Sequence, residues 1–202
     1  MSVDKRCLKI PRRRFKLILF YLSKRITPSL KTKISALCYF IMNEEQKKSL
    51  LIKELCDLLS KGNAHVTFEE AVKDISLDKL MLTPNDLPYN IFQLAEHIRI
   101  AQWDIIEFCI NPHHVSPKWP EGYWISGDYT VSRQTWDDIL HQIKRDRERF
   151  IQFLKATDTD LFEPLPHGSG QNLLREALLI ADHTAYHTGE IILIRRLLKI
   201  WN

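Results

Sequence analysis

Two histidines one helical turn apart are the residues of this chain whose types and spacing best suit chemistry. His183 and His187 lie in the stretch 182–190, inside a long segment whose apolar residues recur at three- and four-residue steps. This periodicity predicts a helix, on which residues four positions apart share a face. One metal ion can lie about 2.1 Å from a nitrogen of each ring. The pair therefore predicts part of a metal site, which needs a third ligand from another helix.

His97 is the candidate for that third ligand. Asn90 is a suitable N-cap for a helix over 91–110, which Asn111 and Pro112 would end. A lone histidine on a helix is more often a packing or surface residue than a ligand. Its position near the apolar stripe of this helix, beside Glu96, adds only a little support to the ligand hypothesis.

The elements that must position these histidines are helical. The chain has 202 residues, 45% of them hydrophobic, and only 6 Gly, which is typical of a helical globular domain. A capping-box pattern at Thr67 predicts a short helix over 68–75. Four long helical patterns and one long crossover predict an all-α fold, a four-helix bundle. The long patterns cover 44–60, 91–110, 133–156 and 172–199.

Two glycines suggest local structure in these helices. Gly62 lies just past the first long pattern, where a C-cap glycine is expected. Gly189 lies inside the last pattern, where glycine costs about 1 kcal/mol relative to alanine. Close approach of a neighbouring helix would offset that cost.

The connection 111–131 is long and rich in His, Pro, Trp and Tyr. Its aromatic residues include Trp119, Tyr123, Trp124 and Tyr129. Long connections in compact domains are often functional. Two interpretations stay open: the aromatic residues pack the connection onto the bundle, or they cover the mouth of a pocket. Its adjacent histidines, His113 and His114, are not expected to be metal ligands.

Charge is distributed unevenly along the chain. Residues 1–41 hold 11 Lys/Arg and one acid, a net charge of +10, and the other 161 residues hold 18 Lys/Arg and 24 acids, a net charge of −6. The body therefore gives no support for a nucleic-acid-binding surface. The basic extension has three interpretations: a membrane-surface anchor, a nucleic-acid-binding tail, or upstream sequence outside the natural protein, with Met42 as the true start. The third is favoured, which predicts domain boundaries of 1–41 and 42–202.

Two further sequence patterns, the length of the apolar runs and the spacing of the cysteines, indicate where in the cell the protein is located. The apolar runs 17–22 and 36–41 are shorter than the roughly 20 residues that span a bilayer. The four cysteines are far apart in the sequence and form no CxxC pair, which favours reduced thiols in the cytoplasm over a disulfide framework. Their positions are Cys7, Cys38, Cys56 and Cys109.

In a four-helix bundle, His97 from one helix and His183 and His187 from another can meet at one level of the core. Three neutral imidazoles with one open coordination position can bind and activate a water or a thiol. Glu190 is three residues after His187, and its side chain leans back over the histidines. It is therefore the first candidate to orient a ligand, with Asp104 second.

Three segments together resemble the DinB-like superfamily of helical-bundle proteins. They are 94–105, around His97; 182–190, around the histidine pair; and the tail from Arg195 to Leu198. The resemblance covers roughly 42–201. It implies a four-helix bundle with a three-histidine divalent metal site, usually zinc or nickel, and carries the ligands onto His97, His183 and His187. Some members are thiol S-transferases that use low-molecular-weight thiols such as bacillithiol or mycothiol.

Glu190 stands where the family often has Gln, so it is either a tentative catalytic base or a hydrogen-bonding residue. The leading hypothesis is a metal-dependent thiol S-transferase or hydrolase acting on a small thiol or electrophile. The alternative is a non-catalytic bundle for binding or stress response, with a structural metal or none. We expect no nucleic-acid partner and no membrane partner, and both hypotheses are compatible with a homodimer.

Overall fold

The fold is all α-helical in the part of the chain that this computed structural model describes: residues 28–125, 127, 130–156 and 160–201, with side chains from Asn43 onward. The predicted helical bundle is confirmed. A 3-10 turn, Pro84–Asp86, lies before the second long helix. The α-helices are α1 (Pro28–Ser60), α2 (Phe68–Val72), α3 (Leu77–Leu80), α4 (Ile91–Ile110), α5 (Arg133–Leu154) and α6 (Leu173–Leu197).

Helix α1 begins earlier than predicted. It starts at Pro28 instead of position 44 and is continuous through Met42. The change in charge at Met42 decided the predicted start, but charge does not control where backbone hydrogen bonding begins. The chain divides into two units after Leu50: Met1–Leu50 contains the first part of α1, and Leu51–Asn202 contains the rest of the helices. The basic cluster 9–16, the run 17–22, Cys7 and Tyr129 lie outside the described residues.

The N-cap predicted for α4, Asn90, is confirmed. Asn90 accepts a hydrogen bond from the Gln93 backbone N–H, and the Gln93 side chain accepts from the Asn90 N–H, which completes a capping box on α4. Ser132 caps α5 and Asn172 caps α6 in the same way, through one side-chain acceptor each. These caps fix where the helices that carry the histidines begin.

Two apolar clusters fill the second unit. One joins the first half of α4 to the second half of α6, for example through Leu94 and Ile191. The other joins the end of α4 to the first half of α6, for example through Ile106 and Ile180, and also includes Leu55 of α1. Helices α4 and α6 are therefore antiparallel. The level between the two clusters on both helices is where the histidines lie.

Two glycine predictions are wrong. Gly62 does not have the left-handed conformation of a C-cap glycine, which Asn63 adopts instead (φ 47°). A Cβ at Gly62 would lie 1.7 Å from the His65 carbonyl oxygen, so this position needs glycine because the turn is tight. At Gly189 a Cβ would have no described atom outside its own helix turn within 4 Å, so no described helix approaches closely there.

Among the helices of the described residues, none is long and apolar enough to cross a membrane.

Candidate metal centre

His97, His183 and His187 come together between α4 and α6. Each offers one ring nitrogen, and these three atoms lie within 4.8 Å of one another. Nε2 of His183 is 3.0 Å from Nε2 of His97. His97 is 3% exposed and His187 is 7% exposed, and His183 is half-buried. The predicted convergence of the three rings is confirmed.

Hydrogen bonds fix the tautomers of two of these rings. Nδ1 of His97 donates to the backbone carbonyl of Tyr123 across 2.9 Å. Nδ1 of His187 lies 2.7 Å from Oε2 of Glu190, which as a carboxylate can only accept. In both rings Nδ1 therefore carries the proton, and Nε2 presents its lone pair. This is the state that a metal ligand requires.

Two of the three rings, those of His97 and His183, lie where protonation is disfavoured. Burial lowers the pKa of His97 below its usual value. Burial, followed by the proximity of His187 and His97, lowers the pKa of His183 to about 3. Two of the three imidazoles are therefore neutral at pH 7. Because a protonated imidazole cannot bind a cation, neutrality favours metal coordination.

Glu190 lies where the helix geometry predicted, against His187. Its other carboxylate oxygen, Oε1, accepts a hydrogen bond of 2.6 Å from the hydroxyl of Tyr89. This bond, with burial second, raises the pKa of Tyr89 to about 12, so the phenol stays protonated at neutral pH. Tyr89 thus holds Glu190, which in turn holds His187.

Asp104 does not reach any of the three histidines, so its predicted place as the second orienting carboxylate is wrong. It accepts hydrogen bonds from Nε2 of His114 at 2.6 Å and from the hydroxyl of Tyr123 at 2.5 Å. Burial, then the bond to Asp104, raises the pKa of Tyr123 to about 12. The backbone carbonyl of Tyr123 accepts from His97, so Asp104 is linked to the site only through Tyr123.

The aromatic connection after α4 packs against the histidines. The Trp124 ring stacks on His97, with centroids 3.9 Å apart and planes 7° apart. Trp119 is 67% exposed, although its ring lies near that of Tyr123. The packing interpretation therefore holds for Trp124, which lies on the bundle and covers one face of His97.

Other polar residues considered from the sequence lie outside the cluster. His113 and His141 are exposed, and Asp182 is exposed on α6. Glu96 pairs with Arg99 one turn away. The exposed position of His113 agrees with the expectation that it is not a metal ligand.

Sequence reasoning did not identify Tyr89 or single out Tyr123 and Trp124 for roles at the histidines. Tyr89 directly precedes the N-cap Asn90, but nothing local marks it as a partner of a residue on α6. Trp124 and Tyr123 belong to an aromatic-rich connection, a signal that pointed to the segment and not to the individual residues.

Comparison with known proteins assigns the chain to a family. No curated protein sequence matches the chain. A family model, described as the DinB superfamily, matches residues 63–191. The match includes all three histidines and Glu190 and spans more than half of the 202 residues. The chain belongs to the DinB superfamily.

Proposed function

We propose that His97, His183 and His187 hold one divalent metal ion, zinc or nickel. The protein is then a metal-dependent thiol S-transferase, or a hydrolase in which the metal activates water instead of a thiol. One observation carries the proposal: three ring nitrogens lie within 4.8 Å of one another, and no fourth His, Cys, Asp or Glu of the described residues joins this group. Three protein ligands are typical of catalytic zinc sites, which keep one position for water or substrate.

The donor set suits these metals. Imidazole nitrogen binds both zinc and nickel well. Hydrogen bonds to Tyr123 and Glu190 leave Nε2 of His97 and of His187 as acceptors. Ligating histidines commonly donate their second nitrogen in this way, which fixes the ring orientation and raises its basicity. A bound divalent ion would lower the pKa of a thiol or a water molecule at the site.

Within this proposal the chain's own residues position the site. Both oxygens of Glu190 already accept hydrogen bonds, one from His187 and one from Tyr89. This arrangement favours Glu190 as a positioning residue over its tentative role as a catalytic base. Trp124 covers one face of His97 and restricts access of water from that side.

The substrates follow from the family resemblance. A low-molecular-weight thiol, such as bacillithiol or mycothiol, would lose its proton, and its sulfur would form a bond to an electrophilic carbon as the bond from that carbon to a leaving group breaks. Two cysteines of the described side chains, Cys56 and Cys109, are free and buried. Free thiols are compatible with a reducing compartment, and we place the protein in the cytoplasm on this basis.

The alternative is a non-catalytic bundle whose metal is structural or absent. A structural zinc site has four protein ligands, and three His with no fourth described ligand favour the catalytic proposal.

Metal analysis combined with thiol conjugation tests the proposal. Full-length protein without a histidine tag would be analysed for zinc and nickel, and then incubated with bacillithiol, mycothiol or glutathione and monochlorobimane as the electrophile. The control variant is His141→Ala, which removes an exposed histidine outside the site. We expect about one metal ion per chain and metal-dependent conjugation in the parent and the control, and loss of both in His183→Ala.

Two outcomes would contradict parts of the proposal. A parent protein that holds no metal would refute the metal site. Bound metal with conjugation no faster than in buffer, for all three thiols, would refute the transferase and favour the non-catalytic alternative.

A further inference from the structure

One face of α6 is exposed to solvent although much of it is apolar. Leu193 is 51% exposed and Leu178 is 45% exposed. Gly189, which is exposed, and Ala185, which is half-buried, lie between them on the same face, because steps of four and seven residues return a helix to the same side. A contiguous exposed apolar patch on a soluble protein commonly marks a surface that binds another molecule.

Gly189 is at the centre of this face and packs against nothing in the described part of the chain. A Cβ there would meet no described atom outside its own helix turn within 4 Å. Glycine nevertheless costs a helix about 1 kcal/mol relative to alanine. Small residues on a helix face allow a second helix to approach closely. Because no described helix of this chain does so at Gly189, a second copy of the chain can supply it.

The charges on this face are complementary about Gly189. Asp182 is seven residues before Gly189 and Arg196 is seven residues after it, about 10.5 Å along the helix in each direction. Both residues are exposed, and neither has an ion-pair partner among the described residues. If two copies of α6 pack antiparallel and cross at Gly189, Asp182 of each copy lies at the level of Arg196 of the other. The same ion pair then forms at both ends of the interface.

The apolar residues are complementary about the same point. Leu193 is four residues after Gly189 and Ala185 is four residues before it, so the large residue of one copy lies at the level of the small residue of the other. Ala185 and Asp182 line a cavity of about 650 Å³ between the end of α1, the start of α2 and α6. This cavity gives Leu193 of the second copy room to leave the solvent.

We propose that the chain forms a homodimer through α6, with the two copies of the helix antiparallel and crossing at Gly189. In this isologous interface each contact occurs twice, as in most homodimers. Leu193 of each copy packs on Ala185 of the other, and Asp182 pairs with Arg196. The proposal goes beyond the metal centre and the thiol chemistry and does not depend on either.

Reversal of the two charges tests the pairing. Asp182→Arg would place like charges at both ends of the interface, so we expect the dissociation constant of the dimer to rise about tenfold or more. The double variant, Asp182→Arg with Arg196→Asp, restores opposite charges and should return the constant to within a few-fold of the parent value. Glu148→Arg, a reversal at an exposed position of α5, is the control. Sedimentation velocity of the full-length protein over a range of concentrations measures the constant.

Substitutions of the apolar residues test the centre of the interface. Leu193→Asp should raise the dissociation constant at least tenfold, because it places a carboxylate in an apolar contact. Leu82→Asp changes a leucine that is 40% exposed and lies outside α6, and it should leave the dimer unchanged. Gly189→Ala should also weaken the dimer, since a methyl group at the crossing point keeps the helices apart, while it stabilises the helix of the separate chain.

A disulfide tests the register of the two helices. Only a residue on the twofold axis faces its own counterpart. Gly189→Cys therefore brings two thiols together, whereas those of Leu178→Cys would be about 33 Å apart along the helices. With diamide as the oxidant, we expect Gly189→Cys to form a covalent dimer on non-reducing gels much faster than Leu178→Cys or the parent.

Four results would each overturn the proposal. They are a parent protein that is monomeric at every concentration, an unchanged dissociation constant in Asp182→Arg, no recovery in the double charge variant, and equal cross-linking of Gly189→Cys and Leu178→Cys. A monomer would mean that the face is bare or is covered by another part of the chain, such as the basic extension 1–41.

Discussion

Tyr89 donates its phenolic hydrogen to Glu190 across 2.6 Å, although the two residues are 101 positions apart in the sequence. Glu190 also accepts from His187, at 2.7 Å. The two bonds form a continuous chain from the segment before α4 to a candidate metal ligand on α6. A carboxylate held at both oxygens has little freedom to rotate, so it keeps the His187 ring in one orientation.

Tyr89→Phe should weaken metal binding without abolishing it. The substitution removes only the hydroxyl that holds Glu190, and we expect the dissociation constant for zinc to rise a few-fold, up to roughly tenfold. Competition with a chromophoric chelator measures this constant. The matched control is Tyr186→Phe, which removes the hydroxyl of an exposed tyrosine beside His187. If both variants bind zinc like the parent, Tyr89 has no positioning role.

Substitutions of Glu190 should have larger effects, because Glu190 contacts His187 directly. Glu190→Ala removes the acceptor and should weaken metal binding by roughly 10- to 100-fold. Glu190→Gln retains one oxygen that can accept a hydrogen bond from His187, so this variant should lose less metal affinity than Glu190→Ala. The same chelator competition compares the two. A Glu190→Ala protein with the parent's affinity would show that the hydrogen bond to His187 does not contribute to binding.

Asp104→Ala should affect stability more than metal binding. Asp104 accepts from His114 and Tyr123, and its loss leaves two mostly buried donors without their partner. We expect the free energy of unfolding to fall by about 2 kcal/mol or more, as measured by urea denaturation. Zinc affinity should fall less than in Glu190→Ala, since Asp104 is linked to His97 only through Tyr123. A variant of normal stability with strongly reduced affinity would contradict this assignment.

Cys109 should resist modification in the folded protein. Burial raises the pKa of its thiol to about 12. Because the thiolate is the reactive form, labelling at pH 8 should be roughly a thousandfold slower than for an ordinary cysteine, and should accelerate as the pH rises. Brief alkylation with iodoacetamide, followed by peptide mass spectrometry, measures each cysteine separately. Protein unfolded in urea is the control, and equal labelling of Cys109 in both states would disprove the prediction.

Gly189→Ala should stabilise the protein. Gly189 lies inside α6, and an added Cβ would meet no described atom beyond its own helix turn within 4 Å. Alanine should therefore raise the free energy of unfolding by about 0.5–1 kcal/mol. Gly170→Ala is the contrasting variant: Gly170 has φ +115°, a conformation that an alanine adopts only with strain. Thermal and urea denaturation of both variants measure the effects, and a destabilised Gly189→Ala would reveal a contact at this position.

The sequence alone was enough to predict features that depend on neighbouring residues. Apolar periodicity predicted where α4, α5 and α6 begin, and Asn90 was predicted as the N-cap of α4. The four-residue step from His183 to His187 and the three-residue step to Glu190 are fixed by helix geometry, so the contact between His187 and Glu190 followed as well. The resemblance to the DinB-like superfamily supplied His97 as their partner.

Tertiary structure alone decided the contacts between distant segments. Nothing near Tyr89 predicts its bond to Glu190, and Asp104 turned toward His114 and Tyr123 instead of the histidines. The sequence also could not predict that no described neighbour lies close to Gly189. Periodicity and capping describe interactions over three or four residues, whereas these contacts depend on how separate helices and the aromatic connection pack together.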